Sequence, residues 1–189
     1  MQTNIILGKE LILNKLVCRV IGVIAFTLLS AMGAYLRVPL WFTPVPLTLQ
    51  TFFVILSGAV LGPSLGLTSQ VIYIVLGLLG VPLFANTGST TAYLMGPTTG
   101  YLFGFVICSF LSGKLFAVNR TFLRSFALFF SCSLIILLSG AVWLGIFLKL
   151  GIVKAFILGV LPFIAGDCLK AYAAALIYSR IAKRAKEIF

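Results

Sequence analysis

Asp167 and Lys170 are the residues of this sequence whose types and spacing can do chemistry. The chain holds three acidic residues in all. Glu10 and Glu187 stand near the ends among basic neighbours, while Asp167 lies inside a long apolar run with Lys170 three residues further on. At that spacing both side chains share one face of a helix. Ionisable groups inside an apolar segment are costly, so they turn toward a bundle interior, pair with one another and mark ligand or ion paths. The pair therefore reads as a ligand site. The competing reading is an ion pair that only locks helix packing.

Several classes of chemistry find no residues here. The chain has no histidine, and no second carboxylate neighbours Asp167. General acid–base catalysis needs a titratable group poised near neutral pH, so an enzyme is not expected. Cys18, Cys108, Cys132 and Cys168 sit inside apolar runs without a C-x-x-C pair and read as small buried hydrophobes. No spacing suits a metal, and no cofactor is expected. The sequence also lacks the G-x-x-x-x-G-K-[ST] phosphate loop, so active uptake by this protein would need energy from a partner. The formal net charge of +11 does not point to nucleic acid, because the basic residues are scattered between apolar runs and build no groove.

Uncharged polar and aromatic groups supply further candidates. Asn86, Thr90, Thr91 and Tyr93 lie in a Gly/Ser/Thr-rich stretch over 82–96. Trp41, Phe42 and Thr43 offer an aromatic wall with a hydroxyl, and Gln50 opens an apolar run. Each has a plainer explanation: an interfacial aromatic belt for Trp41 and Tyr93, ordinary loop solvation for the threonines and Asn86.

The elements that must hold these residues are apolar helices. The chain has 189 residues, 61% of them hydrophobic and 9% charged, with a mean hydropathy of +1.21. Soluble domains carry about a quarter charged residues, so this chain cannot coat a globule in water. A spanning helix needs roughly 20 apolar residues, and about six fit. The runs are too long and too continuous for the alternating ~10-residue strands of a barrel. Spans are expected over about 16–36, 47–61, 65–81, 97–116, 126–148 and 160–181, in a single domain covering 1–189. Residues 1–15 read as a short amphipathic segment on the membrane surface. Pro39, Pro44 and Pro46 make 37–46 a structured loop, Gly62-Pro63-Ser64 a tight turn, and Pro97 a helix start. The string Ser30-Ala31-Met32-Gly33-Ala34 has the look of a signal-peptide cleavage site, but the run is long enough to be a retained span. Its small residues Ser30 and Ala34, four apart, let a second helix approach closely, and ordinary packing within the bundle explains them equally well.

Charge sets the orientation. With six spans both termini share a side, and that side holds Lys9, Lys15, Arg19, Lys114, Arg120, Arg124, Arg180, Lys183, Arg184 and Lys186. The other side holds Arg37, Lys149 and Lys154. The positive-inside rule places both termini in the cytoplasm and the two polar loops outside.

Four strings carry a family resemblance: Pro44-Val45-Pro46-Leu47-Thr48-Leu49-Gln50-Thr51, Leu61-Gly62-Pro63, Gly96-Pro97-Thr98-Thr99-Gly100-Tyr101-Leu102 and Gly166-Asp167-Cys168-Leu169-Lys170. In this order and with these gaps the sequence resembles the BioY family over about 31–175. These are biotin-binding S components of energy-coupling-factor (ECF) transporters. The resemblance implies a six-helix bundle in a bacterial cell (inner) membrane, holding biotin near its outer surface. It also implies assembly with a transmembrane coupling protein and two cytoplasmic ATPases. Asp167 and Lys170 match the family's D-x-x-K face, Asn86 matches the polar residue of the third loop, and Ser30 and Ala34 fall on the helix-1 contact motif for the coupling partner. Thr99 departs from the family's usual glycine and Ser30 from its usual alanine. The rival reading is a stand-alone transporter or channel for another small solute.

Overall fold

In the computed structural model the described residues are 2–84, 93, 95–117 and 121–189, with the backbone alone described for 2–14. Helix α1 (Gln2–Tyr35) runs without a break from the segment read as amphipathic into the first span. Its outward residues Leu16, Val20, Ile24, Leu28 and Met32 recur every fourth position and are exposed, forming the apolar stripe that a lipid-facing helix presents. The chain then turns back through a two-residue antiparallel pairing of β1 (Arg37–Val38) with β2 (Leu47–Thr48), in which Arg37 faces Thr48 and Val38 faces Leu47. The prolines between them fall in this connection, as expected of residues that cannot donate to a ladder.

Helix α2 (Gln50–Leu61) is buried on nearly every side, with ten of its twelve residues inside. It touches α1, α3 (Pro63–Leu78), α4 (Thr99–Leu115) and α7 (Ile164–Ile188), which makes it the bundle's central post. Gly62 adopts φ +83 between α2 and α3, a backbone state open to glycine and strained for most other residues. Pro63 opens α3, where its missing N–H costs nothing. The expected turn at Gly62-Pro63-Ser64 is therefore present. Helix α5 (Phe122–Phe147) packs on α4 and α7, and a short α6 (Ile152–Gly159) folds back against α5.

Some boundaries differ from expectation. The last helix begins at Ile164 rather than near 160, after a 3₁₀ turn at Leu161–Phe163, and the short α6 before it lies outside the expected spans. Pro162 removes a backbone donor and separates α6 from α7. The described helix α4 begins at Thr99 rather than Pro97. Gly96 and Pro97 form a turn instead, held by the Trp143 indole N–H donating to the Gly96 carbonyl at 2.9 Å. The short spans are α2 and α3 of 12 and 16 residues. Lys15–Tyr35, Phe122–Phe147 and Ile152–Ile188 are long and apolar enough to cross a membrane, and α2, α3 and α4 are shorter apolar helices. The protein is an all-α membrane bundle.

The two ends of the bundle are distinct. At one, Arg19 donates to the Phe189 carbonyl at 3.4 Å and Lys186 to the Ala117 carbonyl at 3.0 Å, tying α1, α4 and α7 together. At the other, Tyr35 bonds Pro82 O, Thr43 bonds Leu158 O and Trp143 bonds Gly96 O. The described members of the larger basic group, such as Arg19 and Lys186, lie at the first end, and Arg37 lies beside the loops of the second.

Candidate ligand site

The first turns of α2, α4 and α7 converge at the end opposite the basic rim. Between them lies a cavity with walls of Val45, Pro46, Leu102, Phe105, Leu137 and Phe163, and with polar groups from Thr48, Gln50, Thr51, Tyr93, Thr98, Tyr101, Asp167 and Lys170. Helix N-termini carry partial positive charge, and Asp167 sits in the first turn of α7, where that charge favours a carboxylate. The break at Pro162 creates this N-terminus inside the apolar mass.

Asp167 is 1% exposed. Lys170 Nζ donates to its Oδ1 at 2.6 Å. The same ammonium donates to Thr51 Oγ1 at 2.9 Å, and the Thr51 hydroxyl lies 3.4 Å from Oδ1 as a donor. Ammonium and hydroxyl thus converge on one carboxylate oxygen. The other, Oδ2, is buried without a partner, and so is Gln50 Nε2 on α2. Buried polar atoms are almost always hydrogen-bonded, so two orphans in the lining of one cavity need an explanation. One is an acceptor and the other a donor. Together with aromatic and aliphatic walls, they suit a small ligand that offers both an N–H and a carbonyl.

Tyr93 reaches the cavity from the connection before α4, and its ring stacks on Phe84 with centroids 4.6 Å apart. Tyr101 donates to the Gly159 carbonyl at 2.8 Å, which fixes the phenol and joins α4 to the end of α6.

Of the residues singled out in the sequence, Asp167, Lys170, Gln50 and Tyr93 come together here. Phe42 and Thr43 do not line the cavity. Phe42 is exposed and edges against Trp41, itself 96% exposed. Thr43 is consumed by the backbone, donating to Leu158 O and accepting from Val45 N, so it shapes the loop that carries Val45 and Pro46. Asn86, with Thr90 and Thr91, lies outside the described residues. Ser30 and Ala34, offered above to a coupling partner, are both fully buried. The Ser30 hydroxyl bonds Gln70 Oε1 at 3.2 Å across the α1–α3 contact. In this conformation their small size serves packing inside the bundle and leaves them no surface for a partner. Thr48, Thr51, Thr98, Tyr101 and Phe163 are cavity residues that the sequence reading did not single out. Four of them sit inside the strings quoted above, and their shared signal is a polar residue at or beside a helix start.

The sequence profile of the BioY family matches residues 8–187. The chain is 46% identical over 156 residues to a protein of Pyrococcus horikoshii named probable biotin transporter BioY, covering 82% of this chain and 91% of that one. It is 40% identical over 168 residues to the biotin transporter BioY of Thermotoga maritima, covering 84% and 92%. A crystal structure described as the S-component for biotin from an ECF-type ABC transporter matches the fold with a TM-score of 0.83 at 25% identity, covering 90% of this chain and 93% of that one. On the family profile and these relatives, the chain belongs to the BioY family.

Proposed function

We propose that this protein is the biotin-binding subunit of a membrane vitamin uptake system, taking biotin from the outer side and passing it inward with an ECF coupling module. The observation that carries the reading is the pair of orphaned atoms, Asp167 Oδ2 and Gln50 Nε2, in one apolar-walled cavity. Biotin's ureido ring has two N–H donors and a carbonyl. An N–H pairs with Asp167 Oδ2, a charge-assisted bond of the stronger kind, and the carbonyl accepts from Gln50 Nε2. Phe105, Phe163 and Leu137 enclose the thioether ring.

The names of the relatives and of the matching structure support biotin as the ligand. A transmembrane coupling protein is the proposed partner, while Ser30 and Ala34, buried within the bundle, serve the packing of α1. The chain's own sequence carries no phosphate-binding loop, so concentrative uptake draws on two cytoplasmic ATPases through that coupling protein. The placement is a bacterial cell (inner) membrane, and the excess of basic residues on the side of the termini supports both termini being cytoplasmic. Calorimetry on the purified full chain is expected to give a submicromolar biotin Kd, and folded protein without measurable binding would sink the reading. Concentrative biotin uptake in cells lacking every coupling subunit would replace it with a stand-alone transporter.

A further inference from the structure

Phe84 has no place in the cavity, yet the structure commits much to holding it. It is fully buried. Its ring occupies the notch that Gly77 leaves on α3, where a Cβ would run into the ring carbons. Tyr73 meets it edge-on at 5.5 Å and donates its hydroxyl to the Leu83 carbonyl at 3.1 Å. The Tyr35 hydroxyl bonds the Pro82 carbonyl. The exit from α3 is therefore pinned by two tyrosines and one keyed ring. The outer face of that ring is stacked on Tyr93 at 4.6 Å, with the planes 18° apart, and Tyr93 lines the ligand cavity.

We infer that Phe84 is a positioning residue for ligand binding: keyed into Gly77, it fixes the plane of Tyr93 against the cavity and thereby slows ligand escape. The inference rests on the cavity being the biotin site proposed above. It names a physical route, from α3 through Phe84 to Tyr93, by which a residue without ligand contact sets the residence time. Affinity changes of this kind fall mainly on the dissociation rate.

The test is a double-mutant cycle on the purified full chain, reading the biotin dissociation rate for wild type, Phe84→Leu, Tyr93→Ala and the double variant. Phe84→Leu keeps the notch filled and removes the stacking. Alone it speeds dissociation by roughly three- to tenfold, the worth of one aromatic pair. In the Tyr93→Ala background it adds nothing. Additive effects, or an unchanged rate in Phe84→Leu, overturn the inference. A second readout needs no ligand: exchange of the Gly96 amide, which donates to the Tyr93 carbonyl at 3.0 Å, speeds up in Phe84→Leu, and unchanged exchange also counts against the inference. Should wild type bind no biotin, the functional reading falls while the exchange measurement still tests the placement of Tyr93.

Discussion

Lys170 lies 2.6 Å from one carboxylate oxygen of Asp167 and leaves the other, buried oxygen unpaired. The ion pair is thus half-committed: one oxygen holds the bundle together and the other waits for a donor. Removing one member of a buried pair strands the other charge and costs roughly 3–5 kcal/mol. Asp167→Asn and Lys170→Met are each expected to lower the thermal midpoint and to weaken biotin binding by about a hundredfold or more. The double variant removes both charges. It is expected to regain much of the thermal midpoint and none of the affinity, as read by thermal unfolding beside calorimetry. Recovery of affinity in the double variant would show that the pair serves packing alone.

Gln50 gives a cleaner separation of binding from stability. Its side chain is buried, and Nε2 has no hydrogen bond of good geometry, the Tyr73 hydroxyl being its polar neighbour, so the unliganded protein gains little from its presence. Gln50→Leu is expected to leave the unliganded thermal midpoint unchanged or raised. Biotin affinity should fall by roughly tenfold, the worth of one hydrogen bond to a buried carbonyl. A variant that loses stability but binds normally would place Gln50 among the structural residues.

These two residues also show what the sequence made legible. Asp167 and Lys170 stood out because charge is scarce in an apolar chain, and spacing put them on one face. Gln50 stood out by position. Thr51 did not, because a threonine at a helix start is common and its bonds to Asp167 and Lys170 come from a helix that lies 116 residues away along the chain. The apolar runs made a helical membrane bundle legible. The break at Pro162 gives Asp167 its helix N-terminus. The expected start near 160 falls close to it, while the short α6 before it is not legible because hydropathy does not register a break inside an apolar run. Ser30 and Ala34 show the opposite limit: small-residue spacing reports close approach and not the identity of the approaching helix.

Lys149 offers a stabilising substitution. It holds φ 53 just past the end of α5, where Leu150 N–H bonds the Gly145 carbonyl at 2.8 Å. A left-handed residue at this place is the common helix stop, usually glycine. A side chain there costs roughly 1–2 kcal/mol, and glycine's freedom in the unfolded chain gives part of that back. Lys149→Gly is expected to add about 0.5–1 kcal/mol of stability, seen as a raised thermal midpoint with unchanged biotin affinity. A lowered midpoint would mean that the lysine's charge at the membrane interface outweighs the backbone strain.

The crossing of α2 with α3 and α4 sets the strictest limit on sequence. A Cβ on Gly58 would run into the Ser109 carbonyl oxygen and crowd Gly113 N at 2.9 Å, and Gly66 places its own backbone against Gly58 from α3. These neighbours are backbone atoms, which cannot rotate away as a side chain does. In a bilayer, close backbone approach is what holds helices together. The same crossing keeps α2 in register, with Gln50 and Thr51 at the cavity two turns above. Gly58→Ala is therefore expected to cost about 1–3 kcal/mol or more and to weaken biotin binding through displacement of α2. Gly151 has open space around it, so Gly151→Ala serves as the control and should match wild type in both measurements. Equal thermal midpoints for Gly58→Ala and Gly151→Ala would mean that the three helices separate at little cost, and that the register of α2 is set elsewhere.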